Sequence, residues 1–310
     1  MPDTPLAASL SIVALISARG GGDSPPVVAL TVGLRDRGHR VCLVCDRSTE
    51  VAVRATGLLT VCIPSALEQG DIRLVFQQLR ARGVEIGPET PNPLVEWAQV
   101  CAPAMRAPIQ ARKPMVLLSS LFCMGLADRL GSDLGVPWCF VNPSFYFGED
   151  SARPWEADFL GLSARVFRYW FQPLMQRATL VLHATDAAFD VSPTRLPRHH
   201  RYVGPLLWEP TLDAPAFLRT PGPPWVLVSL STVPQEGEVA IARAAICALK
   251  HEAVRVLVTV APEHAAELGE VPGNVYLSGY VPHSTVLRDS RLVISHAGHG
   301  IGRASCRERV

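Results

Sequence analysis

Short runs that are apolar at consecutive positions punctuate the first half of the chain. LSIVALIS (10–17), the centre of HRVCLVCD (39–46) and TVCIPS (60–65) are the first three. Side chains alternate between the two faces of a strand, so a run apolar at both parities needs cover on both faces. Between these runs lie stretches with helical spacing. PPVVALTVGLRDRG (25–38) is one: Pro25 and Pro26 suit a helix start, where a missing N–H is harmless, and Gly38 suits its stop. Strand, helix, strand, with strands buried on both faces, dictates a parallel sheet between helical layers.

The rhythm continues. PLVEWAQVCAPAMRAPIQARK (93–113) reads as a helix, PMVLLSS as a strand, MGLADRLG as a helix and PWCFVNPS as a strand. The aromatic-rich segment 151–178 reads as helical, and ATLVLHAT and RYVGPLL as strands. WEPTLDAPAFLRTPGPPW then places five prolines in eighteen residues, the composition of a linker. A second series succeeds it: PWVLVSLS, a helix over EGEVAIARAAICALKH, VRVLVTVA, NVYLSGYV, a short helix over HSTVLRDS, and RLVISHA. The expectation is an α/β protein of two Rossmann-like parallel-sheet domains: residues 1–207, a linker over 208–222, and an incomplete second domain over 223–300.

Composition excludes several classes. Of the 310 residues, 48% are hydrophobic and 18% charged, which excludes a disordered chain. The formal net charge is +1 and Lys and Arg form no stripe, so nucleic acid is not an expected partner. No run approaches the roughly 18 apolar residues of a membrane span. The eight cysteines lie mostly inside hydrophobic runs, which reads as buried thiols in a reducing cytoplasm. Cys42 and Cys45 match C-x-x-C, but residues three apart on a strand face opposite ways, so packing is expected rather than redox or metal chemistry.

P-loop, H-E-x-x-H and G-x-S-x-G signatures are absent. The turn Gly20-Gly21-Gly22-Asp23-Ser24-Pro25-Pro26 has three readings. It resembles a dinucleotide fingerprint, with Asp46 placed for a ribose, except that Pro25 stands at the third glycine. Asp23 is also placed to cap the following helix. Or its carboxylate, at the carboxyl end of the first strand, faces the crevice where such sheets bind ligands. In the second series, Ser229, Ser231 and Thr232 end one strand, GYVPHSTVL supplies a rigid turn, and RLVISHAGHG ends in a small-residue turn carrying His296 and His299. Three polar strand ends at one edge of a parallel sheet suit a phosphate-bearing ligand.

Over residues 8–300 the chain resembles the GT-B glycosyltransferases of family 1, especially bacterial macrolide- and glycopeptide-type enzymes. The residues that carry the likeness are PWVLVSLST, NVYLSGYVPHSTVLRDSRLVISHAGHG and RYVGPLL. Tyr280, Val281, Pro282, His283, His296, Gly298, His299 and Gly300 occupy the family's donor motif. The resemblance implies that Val281 and His283 flank a nucleobase. It has His296 and the amides from Gly298 onward hold a diphosphate, with Ser231 or Thr232 meeting it from the other side. Gly22-Asp23-Ser24-Pro25-Pro26 fits the family's G-D-x-x-P form, which makes Asp23 the expected base.

The activity implied by the resemblance is an inverting hexosyl transfer from a UDP or TDP sugar to a small, largely apolar acceptor, with no metal and no bound cofactor. Phe145, Tyr146 and Phe147, with Trp155 and Trp170, form either an acceptor pocket or a packed helical excursion. The alternatives are an NAD-dependent oxidoreductase built on the first turn and Asp46, a sugar-nucleotide epimerase, and a non-catalytic nucleotide-sugar binder.

The family pattern places Thr or Ser after Gly300, where this chain has Ile301. IGRASCRERV (301–310) has no apolar period and can be encoded by ATC GGA AGA GCG TCG TGT AGG GAA AGA GTG, a string resembling a sequencing adapter. These ten residues are therefore expected to be non-native, and the chain as it stands to be inactive or nearly so.

Overall fold

The computed structural model describes residues 9–17, 22–70, 72–146, 164–190, 195–230, 237–295, 298 and 300–302. Of the site residues named above, Ser231, Thr232, His296, His299 and Phe147 lie outside these, as do Gly20, Gly21 and Trp155. The chain divides into two compact units, Met1–Trp208 and Glu209–Val310.

The first unit is a seven-stranded parallel sheet. Its strands are β1 (Ser11–Leu15), β2 (Arg40–Cys45), β3 (Leu59–Cys62), β4 (Val116–Ser119), β5 (Trp138–Asn142), β6 (Leu180–His183) and β7 (His200–Tyr202). They lie in the order β3-β2-β1-β4-β5-β6-β7. The order reverses beside β1: β2 and β3 build one way and β4 onward the other, so the crevice between β1 and β4 is the topological switch point.

Helices cover both faces, as the two-parity apolar runs require. On one face α1 (Ser24–Asp36) and α2 (Arg47–Val53) close over Ile12, Ala14, Leu43 and Cys45. On the other, α4 (Pro93–Gln110) and α5 (Met124–Leu134) close over Val13, Leu15, Cys42 and Val44. The same layer receives α6 (Ala164–Val166), which runs through a π-helical stretch (Phe167–Phe171) into α7 (Gln172–Arg177). Cys42 and Cys45 thus sit in opposite cores, as strand geometry demands. Two helices were not read from the sequence: α3 (Ile72–Ala81), although Ile72, Val75, Phe76 and Leu79 recur at helical spacing, and a short one over Pro262–Leu268 in the second unit.

The second unit is a four-stranded parallel sheet: β8 (Trp225–Ser229), β9 (Arg255–Thr259), β10 (Val275–Ser278) and β11 (Ser290–Ser295), in the order β10-β9-β8-β11. Helices α8 (Glu238–Leu249) and α9 (Pro262–Leu268) join its strands. One core packs Val228, Ala242, Ala245 and Val256 together, and the opposite one Trp225, Leu227, Leu257, Val281 and Leu287. Ile301 is buried in that second core. The proline-rich segment does not run free. Leu206 and Trp208 pack on the first unit, while Phe217 and Leu218 pack on the second, Phe217 stacking on Tyr276 at 4.8 Å. Among the described residues no helix is long and apolar enough to cross a membrane.

Among the described glycines the tightest approach is at Gly125, the second residue of α5. A Cβ there would stand 2.3 Å from the carbonyl oxygen of Leu94 at the start of α4. The obstacle is backbone, so it cannot swing aside. Gly125→Ala is expected to destabilise the protein by about 1–3 kcal/mol, the usual cost of overpacking, read as a lowered urea midpoint.

Candidate active site

Parallel strands bring their carboxyl ends to one edge, and the polar residues of each sheet gather there. In the first unit Asp23 follows β1 and is only 3% exposed. The capping reading fails: Asp23 has helical φ and ψ and its side chain accepts no amide from the first turn of α1. Its carboxylate instead spans the switch point. Oδ2 accepts the Phe122 N–H, 3.3 Å away in the turn after β4, and Oδ1 accepts from Ser24 Oγ at 3.2 Å. Ser24 Oγ also lies 2.9 Å from the Ser17 carbonyl, to which its single proton can alternatively go.

Burial pushes the Asp23 carboxyl from 3.8 up to about 6, while the Phe122 N–H, the Ser120 and Ser24 hydroxyls and the Leu121 N–H pull it part of the way back. The Ser120 hydroxyl is fully enclosed and makes no hydrogen bond of ordinary geometry, yet it lies near enough to favour the ionised carboxylate. Gln69 completes the surroundings by donating to the other end of the same residue, Nε2 to the Phe122 carbonyl at 3.1 Å. A carboxylate tuned to about 6 is a base at neutral pH and retains enough basicity to take a proton from a hydroxyl under attack.

Further along the same edge is a polar cluster that sequence reasoning gave no role. Asn142 ends β5, His183 ends β6 and Tyr202 ends β7. Asn142 Oδ1 accepts the Ser144 N–H, which fixes the amide so that Nδ2 donates to the Phe145 carbonyl and to His183 Nδ1, each at 3.0 Å. His183 must then carry its proton on Nε2 and donate it to His200 Nδ1, also at 3.0 Å. Burial holds the His183 imidazole down at about 4, so it stays neutral. Tyr146 turns inward, its ring 5.7 Å from both His183 and His200, and its N–H donates to Asp190. Tyr146 is therefore committed to the core, and so is Trp170, whose Nε1 donates to the Thr90 carbonyl. Phe145 is half-buried beside them.

In the second unit the switch point lies between β8 and β11. Here the strands end on a row of hydroxyls in register: Ser278 pairs with Thr259, Thr259 with Ser229 and Ser229 with Ser295. In-register partners on parallel strands share a face, so the four form one polar line along the edge. Ser229 Oγ lies 3.2 Å from His283 Nε2. Burial holds His283 below the ordinary histidine range, and the nearby Glu209 carboxylate offsets part of that. The Ser229–His283–Glu209 sequence is not a nucleophile triad. His283 Nδ1 is 3.9 Å from Glu209, too long for the orienting hydrogen bond.

The Val281 side chain is core, so only its backbone is available to a ligand, while the Tyr280 ring beside it is 47% exposed. Beyond β11, Gly298 accepts the Gly302 N–H at 3.0 Å, the first i to i+4 bond of a helical turn, and a Cβ at Gly300 would meet nothing within 4 Å. Among the described residues no three His, Cys, Asp or Glu side chains converge as metal ligands.

Asp46, the residue on which a dinucleotide reading depends, is buried at the end of β2.

No protein-family model and no curated protein matches the chain. Solved structures do match. The glycosyltransferase SnogD from Streptomyces nogalater superposes with a TM-score of 0.68 at 16% identity, over 97% of this chain and 80% of its own. CalG4, the calicheamicin glycosyltransferase, gives 0.66 at 19% identity over 98% and 78%. The spinosyn rhamnosyltransferase SpnG, solved with thymidine diphosphate, gives 0.66 at 17% over 97% and 79%. The chain has the fold of these glycosyltransferases. It is the GT-B architecture expected from the sequence, and it places Asp23, the 281–285 turn and Gly298 each at the carboxyl edge of its own sheet.

The buried carboxylate has a stability consequence. A carboxyl raised from 3.8 to about 6 binds its proton more tightly folded than unfolded. Folding is therefore unpenalised below about pH 4, loses stability as pH rises between the two values, and bears the full penalty above about pH 6. Asp23→Asn is expected to stabilise the protein at pH 7 by up to about 3 kcal/mol. Urea melts at pH 7 and pH 3.5 check this: the gain should shrink to near zero at the lower pH.

Proposed function

We propose that this chain is of a type that transfers a hexose from a nucleoside diphosphate sugar, UDP or TDP, to a hydroxyl of a small, largely apolar acceptor, and that the chain as it stands is inactive or nearly so. Asp23 carries the reading. It is a buried carboxylate at the switch point of the first sheet, hydrogen-bonded across it and tuned to about 6. Its donors are all neutral, so no cation beside it lowers its basicity. The likeness in fold supports the donor half: SpnG has been solved with thymidine diphosphate and, separately, with spinosyn aglycone.

In the proposed step the acceptor O–H gives its proton to the Asp23 carboxylate as its oxygen attacks the anomeric carbon. The bond from that carbon to the diphosphate breaks on the opposite face, so configuration inverts. Charge developing on the leaving diphosphate is met by His296 and the amides from Gly298 onward, with Ser231 or Thr232 opposite. The nucleobase lies against the Val281–His283 backbone and the exposed ring of Tyr280, and Phe145 and Phe147 lie on the acceptor side. No step calls for a metal or a bound cofactor. The free thiols, most of them buried, fit a reducing compartment, and we place the protein in the cytoplasm.

Calorimetric titration of the protein with TDP, UDP and NAD tests the donor half: one of the first two is expected to bind at micromolar concentration and NAD not to bind. For the acceptor half, kcat/KM for transfer by an active homologue that shares this aspartate should fall as pH drops through about 6, because the base must be ionised. Exchange of that aspartate for Asn should lower the rate by about 100-fold or more. A pH profile flat from 5 to 8 would remove Asp23 as the base.

A further inference from the structure

We infer that Glu209 is a positioning residue for nucleotide binding, holding the 281–285 turn in the form that presents its backbone to a nucleobase. The inference rests on the reading of the second unit as a nucleotide-sugar site.

Glu209 is the first residue of the second unit, more than seventy positions before the turn it touches. Its Oε1 accepts the His283 N–H at 2.7 Å and its Oε2 accepts the Ser284 N–H at 3.3 Å. These amides open the helical turn His283–Thr285, whose other end is tied locally: Thr285 N–H and Oγ1 both reach the Pro282 carbonyl, at 3.0 and 2.7 Å. Pro282 has no N–H to contribute. Without Glu209, the first two amides of a half-buried turn lose their acceptor, and charge-assisted bonds of this kind are the stronger sort.

The same carboxylate acts on two side chains of the turn through its charge. It sits 3.9 Å from His283 Nδ1 and pushes the Tyr280 hydroxyl upward along with burial. The His283 ring is meanwhile held from its other nitrogen by Ser229 at the end of β8. Glu209 and Ser229 therefore brace the turn from two sides, the connecting segment and the sheet. Val281, just before the turn, is fixed by the core. None of these contacts reaches the Gly298–Gly302 turn. Loss of Glu209 should thus disturb recognition of the base and leave the diphosphate end intact.

The test uses the full chain and two probes, TDP and GDP, titrated calorimetrically into the wild type, Glu209→Gln and Glu209→Ala. TDP carries the pyrimidine of the proposed donor type, and GDP presents the same diphosphate on a purine. The wild type is expected to prefer TDP. Glu209→Ala should weaken TDP about tenfold or more and change GDP less than twofold, so that the preference collapses. Glu209→Gln, which keeps one acceptor oxygen, should fall between.

If TDP and GDP weaken together, or TDP is unaffected, Glu209 is not a positioning residue, while TDP binding by the wild type leaves the functional reading standing. Failure of the wild type to bind TDP, or to prefer it over GDP, overturns the inference; failure to bind TDP or UDP removes the functional reading too. Loss of the fold in both variants would assign Glu209 a structural role and likewise overturn it.

Discussion

Seven parallel strands with two apolar faces cannot be left uncovered, and everything else in the first unit follows from that requirement. Parallel neighbours need crossovers, the crossovers are the helices that supply the cover, and each strand therefore ends at the same edge. Polar residues cannot sit within such strands, so they accumulate where the strands stop. Asp23, Ser120, Asn142 and His183 in one sheet, and Ser229, Thr259, Ser278 and Ser295 in the other, are all residues of strand ends or the turns just beyond. The candidate site is the place where an otherwise apolar architecture permits polar chemistry.

At the edge of the first sheet, desolvation prevails over hydrogen bonding. Asp23 has donors around it, and they are insufficient to offset its burial. The neighbouring links, from the Gln69 amide to the Phe122 carbonyl and from the Phe122 N–H to the Asp23 carboxylate, fix the carboxylate without flooding it with charge. A lysine or arginine beside it would have given a stable but weakly basic ion pair. Neutral donors hold it in place and leave it basic.

The parallel sheets and their cover on both faces were legible because apolar runs at both parities require it, whereas the strand order was not read from the sequence. The opposite placement of Cys42 and Cys45 was legible for the same reason. The role of strand ends was read at Asp23 beyond the first strand and in the second series, from Ser229 and the turn at 296–300. Applied to Asn142, His183 and Tyr202, the same rule flags the histidine cluster from the amino-acid sequence alone. The aromatic residues could not be sorted from sequence, since Tyr146 and Trp170 look no different from Phe145 until their neighbours are known. Asp23 as a cap was the local reading, and tertiary contact with Phe122 displaced it. Glu209 was invisible for a plainer reason: its partners lie far along the chain, and no spacing rule reaches that distance.

The close approach at Gly125 lies beside the crevice. Gly125 stands three residues after Phe122, on the helix that continues from the turn touching the carboxylate, and its partner is the first turn of α4. A missing side chain is what lets these two helix backbones meet there. A single methyl group at this position would part them, one turn from the amide that Asp23 accepts, without altering any polar residue of the crevice.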